Sequence, residues 1–174
     1  MAKAEFIFHP LNIVVITISD TRTEENDSSG DYLVASADAA GHNVVKKEIV
    51  IDDVYLIRAR VSHYIADKNI HAILMTGGTG FTTRDSTPEA VLPLFDKQVE
   101  GFGEVFRHLS YAEIGTSTIQ SRALAGLANN TIIFCMPGST GACKTAWTGI
   151  IHTQLDGEHA PCNFAPHVLQ KNAT

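Results

Sequence analysis

The chain has 174 residues, 44% hydrophobic and 18% charged, with a formal net charge of -6. That length fits one domain with one ordinary core, the composition excludes a disordered chain, and the acidic balance excludes a broad basic nucleic-acid face. A phosphorylated small molecule stays within reach, since it needs only backbone donors and local cations, for which Arg58, Arg60, Arg84, Arg107, Arg122 and Lys144 are available.

The first ten residues form a short arm without the apolar core of a signal peptide, and no stretch approaches the ~20 apolar residues of a membrane span, so a cytoplasmic protein is expected. Leu11 to Ser19 is a β-branched, nearly continuous apolar run, the pattern of a central strand covered on both faces. A polar loop through Ser19-Asp20-Thr21-Arg22 follows. Tyr32, Leu33, Ala37 and Ala40 then recur at helical spacing, and Gly41 supplies the stop. His42 to Ile51 is a more amphipathic strand, interrupted by Lys46 and Lys47, which places it near a sheet edge. Asp52-Asp53 ends it. Ile57, Val61, Tyr64 and Ile65 predict a helix packed on the sheet from Val54 to Asp67.

His71 to Met75 gives a third strand, closed by Thr76-Gly77-Gly78-Thr79-Gly80 and the polar segment containing Arg84 and Asp85. Three strand and helix alternations predict a mostly parallel α/β sheet, whose sites lie at the carboxyl ends of the strands. Ser19-Asp20, Asp52-Asp53 and Thr76 to Asp85 share that end only if the second strand is also parallel. Thr87 reads as an N-cap with Pro88 at N1, and Pro93 interrupts the short helix that follows. A helix is expected from Glu100 to about Ser110. Thr116 to Ala128 resists typing. Asn129-Asn130 predicts a tight turn pairing Ala123 to Ala128 with Thr131 to Met136, and Pro137-Gly138-Ser139-Thr140 opens a helix to about Leu155. The tail, 159–174, with Pro161 and Pro166, reads as extended and packed on a neighbour.

Three glycines in four positions let a backbone turn with positive φ and bring amides onto an oxyanion, or simply turn the chain. The loop lacks the lysine of the P-loop signature and the third glycine of the dinucleotide fingerprint. With Thr87 as the cap, Asp85 is spare beside a phosphate-type loop, the arrangement that suits Mg²⁺, which takes one or two carboxylates plus substrate phosphates. Either Asp52 or Asp53 would cap the helix at Val54, leaving its neighbour for function. Ser139 and Thr140 read as caps at a helix end that could also receive an anion. Glu104 and Arg107 stand one turn apart, the spacing of a solvated pair, and Ser121-Arg122 precedes a strand. Cys135, Cys143 and Cys162 form neither a disulfide framework nor a zinc spacing, and the eight histidines contain no helical metal pair.

Taken in order, Thr-Gly-Gly-Thr-Gly-x-x-x-Arg-Asp-x-x-Pro-Glu-Ala, Glu-Gly-Phe-Gly-Glu, Ser-Arg-Ala-x-Ala-Gly and Met-Pro-Gly-Ser resemble the MoaB/MogA family of molybdenum-cofactor biosynthesis proteins over Asn12 to Leu155. Ser-Asp-Thr-Arg after the first strand is closest to the MoaB branch. The resemblance implies a three-layer α/β/α molybdopterin-binding domain assembling as a trimer or a pair of trimers, with other molybdenum-cofactor biosynthesis proteins as candidate partners. It further implies Mg-dependent transfer of AMP from ATP to the terminal phosphate of molybdopterin. On that resemblance Asp52 and Asp85 are the catalytic and metal-holding acids. Ser19, Asp20, Thr76, Gly77, Gly78, Thr79, Gly80, Glu104, Ser121, Arg122, Gly138 and Ser139 form the pocket. Pro137-Gly138-Ser139-Thr140 lacks the second proline of the clear adenylyltransferases, so a non-catalytic molybdopterin or nucleotide carrier stands as the alternative.

Overall fold

Residues 7–172 are described by a computed structural model. Residues 1–6 of the expected N-terminal arm and the last two residues of the tail lie outside the described residues. The strands are β1 (Asn12–Ile18), β2 (Asn43–Val50), β3 (Ala72–Thr76), β4 (Lys97–Gln98), β5 (Leu124–Ala128) and β6 (Thr131–Met136). They form one sheet in the order β2-β1-β3-β6-β5-β4. β1 pairs in parallel with both β2 and β3, and β3 in parallel with β6, while β5 runs antiparallel to its neighbours β6 and β4. The second strand is therefore parallel, and the loops after β1, β2, β3 and β6 emerge at one edge.

The helices are α1 (Ser28–Ala39), α2 (Val54–Ala66), α3 (Thr87–Val91), α4 (Glu100–Ile114), α5 (Thr140–Ala146), α6 (His152–Leu155) and α7 (Ala165–Leu169), with a π-helical stretch, Trp147–Ile151, fusing α5 to α6. Alternate side chains of each strand face opposite ways. Ile13, Val15, Leu74 and Phe134 pack with Leu33, Phe106 and Trp147. Val14, Ile16, Met75 and Ile133 pack with Ile57, Val61 and Val91 on the other face. These two cores give a three-layer α/β/α arrangement, and they explain why β1 reads as continuously apolar.

Several expectations need correction. α4 runs four residues past Ser110, to Ile114, and the segment that resisted typing begins as a 3-10 turn, Gly115–Gln120, before β5. Thr87 is not the N-cap of α3. Ser86 holds that position without a side-chain capping bond, and Thr87 Oγ1 donates to Gly77 O at 2.9 Å. The tail is not extended. Asn163 Oδ1 accepts the Ala165 amide at 3.0 Å and starts α7, whose Ala165 and Val168 are buried against this same chain. Those local bonds outweigh the extended bias of Pro161 and Pro166, and Pro166 is itself well placed in a first helical turn.

Candidate functional site

The sheet order reverses direction at β1, so the edge between the ends of β1 and β3 is a topological switch point, where ligands bind in open α/β sheets. There the glycine loop has little freedom. Gly77 has φ +103°, and a Cβ on it would stand 2.2 Å from Ile18 O at the end of β1. A Cβ on Gly138 would stand 3.3 Å from Gly77 Cα, so the ends of β1, β3 and β6 meet backbone to backbone. Gly77 N donates to Met136 O at 3.0 Å, Thr87 N to Gly78 O at 2.9 Å, Arg122 N to Thr79 O at 3.1 Å, and Thr76 Oγ1 to Pro137 O at 3.0 Å. With Thr87 Oγ1 on Gly77 O and Arg122 Nε on Gly80 O, the carbonyls of Gly77 to Gly80 are all occupied. Among the described residues the amides of Gly78 and Thr79 have no acceptor, which leaves donors for an oxyanion.

These contacts frame a cleft of about 440 Å³. Of the residues singled out in the sequence, Ser19, Thr76, Gly77, Gly78, Thr79, Gly80, Asp85, Ser121 and Gly138 line it. Arg22, Ile114, Ser117 and Gln120 also line it and were not anticipated as site residues. Three of them lie on or beside the 3-10 turn after α4, which has no apolar period to mark it. Arg22 stands in the quoted Ser-Asp-Thr-Arg motif, which was the available signal.

Each acidic residue has a distinct environment. Asp53 Oδ1 accepts the amides of Tyr55 and Leu56 and so caps α2. Its neighbour Asp52 is released from capping and is 8% exposed, with Oδ1 accepting Ser86 N at 3.0 Å and Ser86 Oγ at 2.5 Å. Asp52 Oδ2 lies against Gly78, 2.7 Å from where a Cβ would be. Burial pushes the Asp52 carboxyl above its ordinary pKa, the Ser86 bonds oppose this, and the charges of Asp85 and Asp20 push the same way as burial. Asp85 is not spare in the local sense, because its Oδ2 accepts Thr82 N at 2.7 Å and closes the loop's last turn. Burial works against its charge, but the Thr82 and Gly80 amides and nearby Arg122 bring its pKa below the usual value. Asp20 accepts both Arg84 Nε at 2.8 Å and Arg84 Nη2 at 2.9 Å, and this bidentate bond lowers its pKa. It also accepts Asp52 N at 3.1 Å, tying the ends of β1 and β2 together.

Other predicted residues sit outside the cleft lining. Arg122 donates from Nε to Gly80 O at 2.8 Å and from Nη2 to Asp85 O at 2.8 Å, and it pairs with Glu89, so it braces the back of the glycine loop. Ser139 caps α5 through Ala142 N at 3.1 Å. Glu104 lies with Arg107 along a separate groove beside β5. Arg107 itself is turned to Ala123 O at 3.1 Å, Arg58 to Glu89 O at 3.0 Å, and Arg60 to Glu48 at 3.3 Å.

Among the described residues no group of three or more His, Cys, Asp or Glu side chains is set to hold a metal by itself. The donors present nonetheless fit Mg²⁺ in its usual style, through one or two carboxylates plus substrate phosphates. Hard oxygen ligands stand at Asp52 and Asp85, and a cation between them would relieve the repulsion that helps hold Asp52 up.

A family model described as "Probable molybdopterin binding domain" matches residues 14–157. Molybdenum cofactor biosynthesis protein B of Escherichia coli (strain K12) is 58% identical over 168 residues, covering 97% of this chain and 99% of its own. The protein of that name from Bacillus subtilis (strain 168) is 46% identical over 142 residues, 81% of this chain and 84% of its own. A crystal structure of molybdenum cofactor biosynthesis protein B superposes with a TM-score of 0.85 at 38% identity, covering 97% of this chain and 99% of that one. A MogA structure, 20% identical, superposes with a TM-score of 0.74 over 83% of this chain and 97% of that one, and shares the fold.

Proposed function

Because the chain belongs to the MoaB/MogA family of molybdopterin-binding domains, we propose that it acts in molybdenum cofactor biosynthesis by binding molybdopterin in the cleft at the β1/β3 switch point. There it transfers AMP from Mg-ATP to the terminal phosphate of molybdopterin, giving adenylyl-molybdopterin and diphosphate. The observation that carries this reading is the juxtaposition of the free Gly78 and Thr79 amides with Asp52 and Asp85 at one sheet edge. Such a transfer needs no covalent protein intermediate. An oxygen of the pterin phosphate bonds to the α-phosphorus of ATP while the bond to the diphosphate breaks, so the protein must position two polyanions and offset their repulsion.

On this reading the amides of Gly78 and Thr79 hold phosphate oxygens, and the hydroxyls of Ser19, Thr79 and Ser121 with the backbone at Gly138 fix the two substrates in line. Asp52 and Asp85 would hold Mg²⁺, which when bound supplies charge neutralisation on the phosphates. Asp20 keeps Asp52 in place through its backbone amide. Arg122 and Ser139 support the loop and α5, and Glu104 has no contact with this cleft. The same reading makes the protein a cytoplasmic homotrimer or pair of trimers. It agrees with the finding that, among the described residues, no helix is long and apolar enough to cross a membrane.

One observation favours the carrier alternative: Asp85, the second acid, already serves as the acceptor of the Thr82 amide. Incubation with ATP, Mg²⁺ and molybdopterin separates the two readings. The transferase yields adenylyl-molybdopterin, and Asp85→Asn, which keeps an oxygen for Thr82 N but removes the charge, lowers turnover by about 100-fold or more with pterin binding retained. Pterin binding with no adenylylated product in the wild type leaves only the carrier.

A further inference from the structure

Two polyanions in one cleft call for cationic charge, yet the arginines around the glycine loop are already committed. Arg84 is bound by Asp20 through two nitrogens, and Arg122 faces two carbonyls and Glu89 behind the loop. Among the described residues lining the cleft, Arg22 is the one cationic side chain. We infer that Arg22 is a phosphate-binding residue of this cleft, gripping an oxyanion that the glycine-loop amides hold from the opposite side. The inference rests on the functional reading above and goes beyond it, since neither the glycine loop nor the paired acids gives the substrate a cationic side chain of the protein.

The local structure is built to present this side chain. Ser19 Oγ accepts the amides of Thr21 at 3.2 Å and Arg22 at 3.1 Å, folding the end of β1 back on itself. Asn26 Oδ1 accepts Thr23 N at 2.8 Å, and Asn26 N donates to Thr23 O at 3.1 Å, closing the next turn. Arg22 Nη1 donates to Asn26 O, which fixes the guanidinium against its own loop. A guanidinium has five N–H donors in a planar fork. The Arg22 guanidinium makes only that one bond among the described residues, so one edge of the fork is anchored and the rest remains for an anion. No carboxylate pairs with it among the described residues, whereas Arg84, in the loop after the adjacent strand β3 on the same rim, is neutralised by Asp20. Ser19 thus has a second role besides lining the cleft: it sets the turn that carries Arg22.

The phosphate could belong to the nucleotide's diphosphate or to the pterin's phosphate monoester, and titrations distinguish them. Calorimetric binding of diphosphate, ATP, AMP and molybdopterin would be measured for the wild type, Arg22→Ala, Arg22→Lys and Arg60→Ala. Arg60→Ala removes the same charge at a remote site paired with Glu48. Loss of one charge-assisted grip is expected to weaken binding about tenfold. A loss for diphosphate and ATP but not AMP puts Arg22 on the leaving group, and a loss for molybdopterin puts it on the pterin phosphate; either supports the inference. Arg22→Lys restores part of the affinity, and Arg60→Ala changes none of it. Equal binding by wild type and a folded Arg22→Ala in all four titrations overturns it while leaving the functional reading intact. Arg22-dependent diphosphate binding in a protein that binds no molybdopterin would instead sink the functional reading and keep this one. Wild-type protein that binds none of the four ligands overturns both.

Discussion

Single residues carry more than one task at the site, and the sequence shows only the task with a local pattern. Asp52 and Asp53 illustrate this: capping rules say that one of two adjacent acids serves α2, but not which, and only the backbone direction assigns the cap to Asp53 and turns Asp52 toward Ser86 and Gly78. Asp85 shows the converse, since its bond to Thr82 N depends on the path of a loop no pattern describes. The glycines separate in the same way. Gly77 has positive φ and Ile18 O where its Cβ would be, so Gly77→Ala is expected to cost more than ~2 kcal/mol of stability. Gly101, in the first turn of α4, has nothing within 4 Å of its Cβ position. Gly101→Ala is expected to stabilise by on the order of 0.5 kcal/mol through backbone entropy. Urea unfolding of the two variants checks both signs; equal effects would mean that the glycine loop has room to relax.

Elements with a strong period were readable from the sequence, and those defined by distant contacts were not. β1, β3 and β6 are apolar runs, α2 has its stripe, and Lys46 and Lys47 mark β2 as an edge, all of which the sheet order repeats. β4, with two residues, exists because Asp96 N and Val99 N bond to Leu127 O and Ala125 O of β5, which no local signal reports. The hairpin between β5 and β6 was readable because two asparagines tolerate left-handed backbone, and they have φ of +47° and +57°. The two are not equivalent. Asn129 donates from its backbone to Asp96 Oδ2 at 2.7 Å and from Nδ2 to Ile65 O at 2.9 Å, whereas Asn130 has positive φ and no assigned side-chain bond among the described residues. Asn130→Gly is therefore expected to raise stability by a few tenths of a kcal/mol, on the order of 0.3, and Asn129→Gly to lower it by about 1 kcal/mol for the lost side-chain bond. Thermal unfolding of the pair decides, and the reverse order would reject the assignment of the turn.

Across the whole molecule the cleft occupies one end of the sheet, and the chain's last described turn fastens the other. Lys171 is 4% exposed, and its Nζ donates to Ile65 O at 2.9 Å, Ile70 O at 3.1 Å and Thr131 Oγ1, joining the end of α2 to the starts of β3 and β6. The tail was misread because this strap depends on carbonyls about a hundred residues away in sequence. Burial lowers the Lys171 pKa to about 8, with Asp67 opposing, and burial followed by the Lys171 charge lowers that of His71 beneath it. The unfolded lysine titrates near its ordinary value of about 10.4. Between those two pH values the unfolded chain binds more protons than the folded one, so stability rises with pH from about 8 to about 10.4, by at most ~1.4 kcal/mol per unit. The histidine acts in the same direction lower down: stability falls as pH drops below about 6.5, where only the unfolded imidazole readily charges. Lys171→Met removes the upper increment and, by taking away the charge that helps depress His71, shrinks the lower one. Denaturation of wild type and Lys171→Met at pH 7.5, 9 and 10 should show the difference in stability between them growing in favour of the wild type as pH rises. A constant difference across that range would show that the lysine keeps its ordinary pKa in the fold.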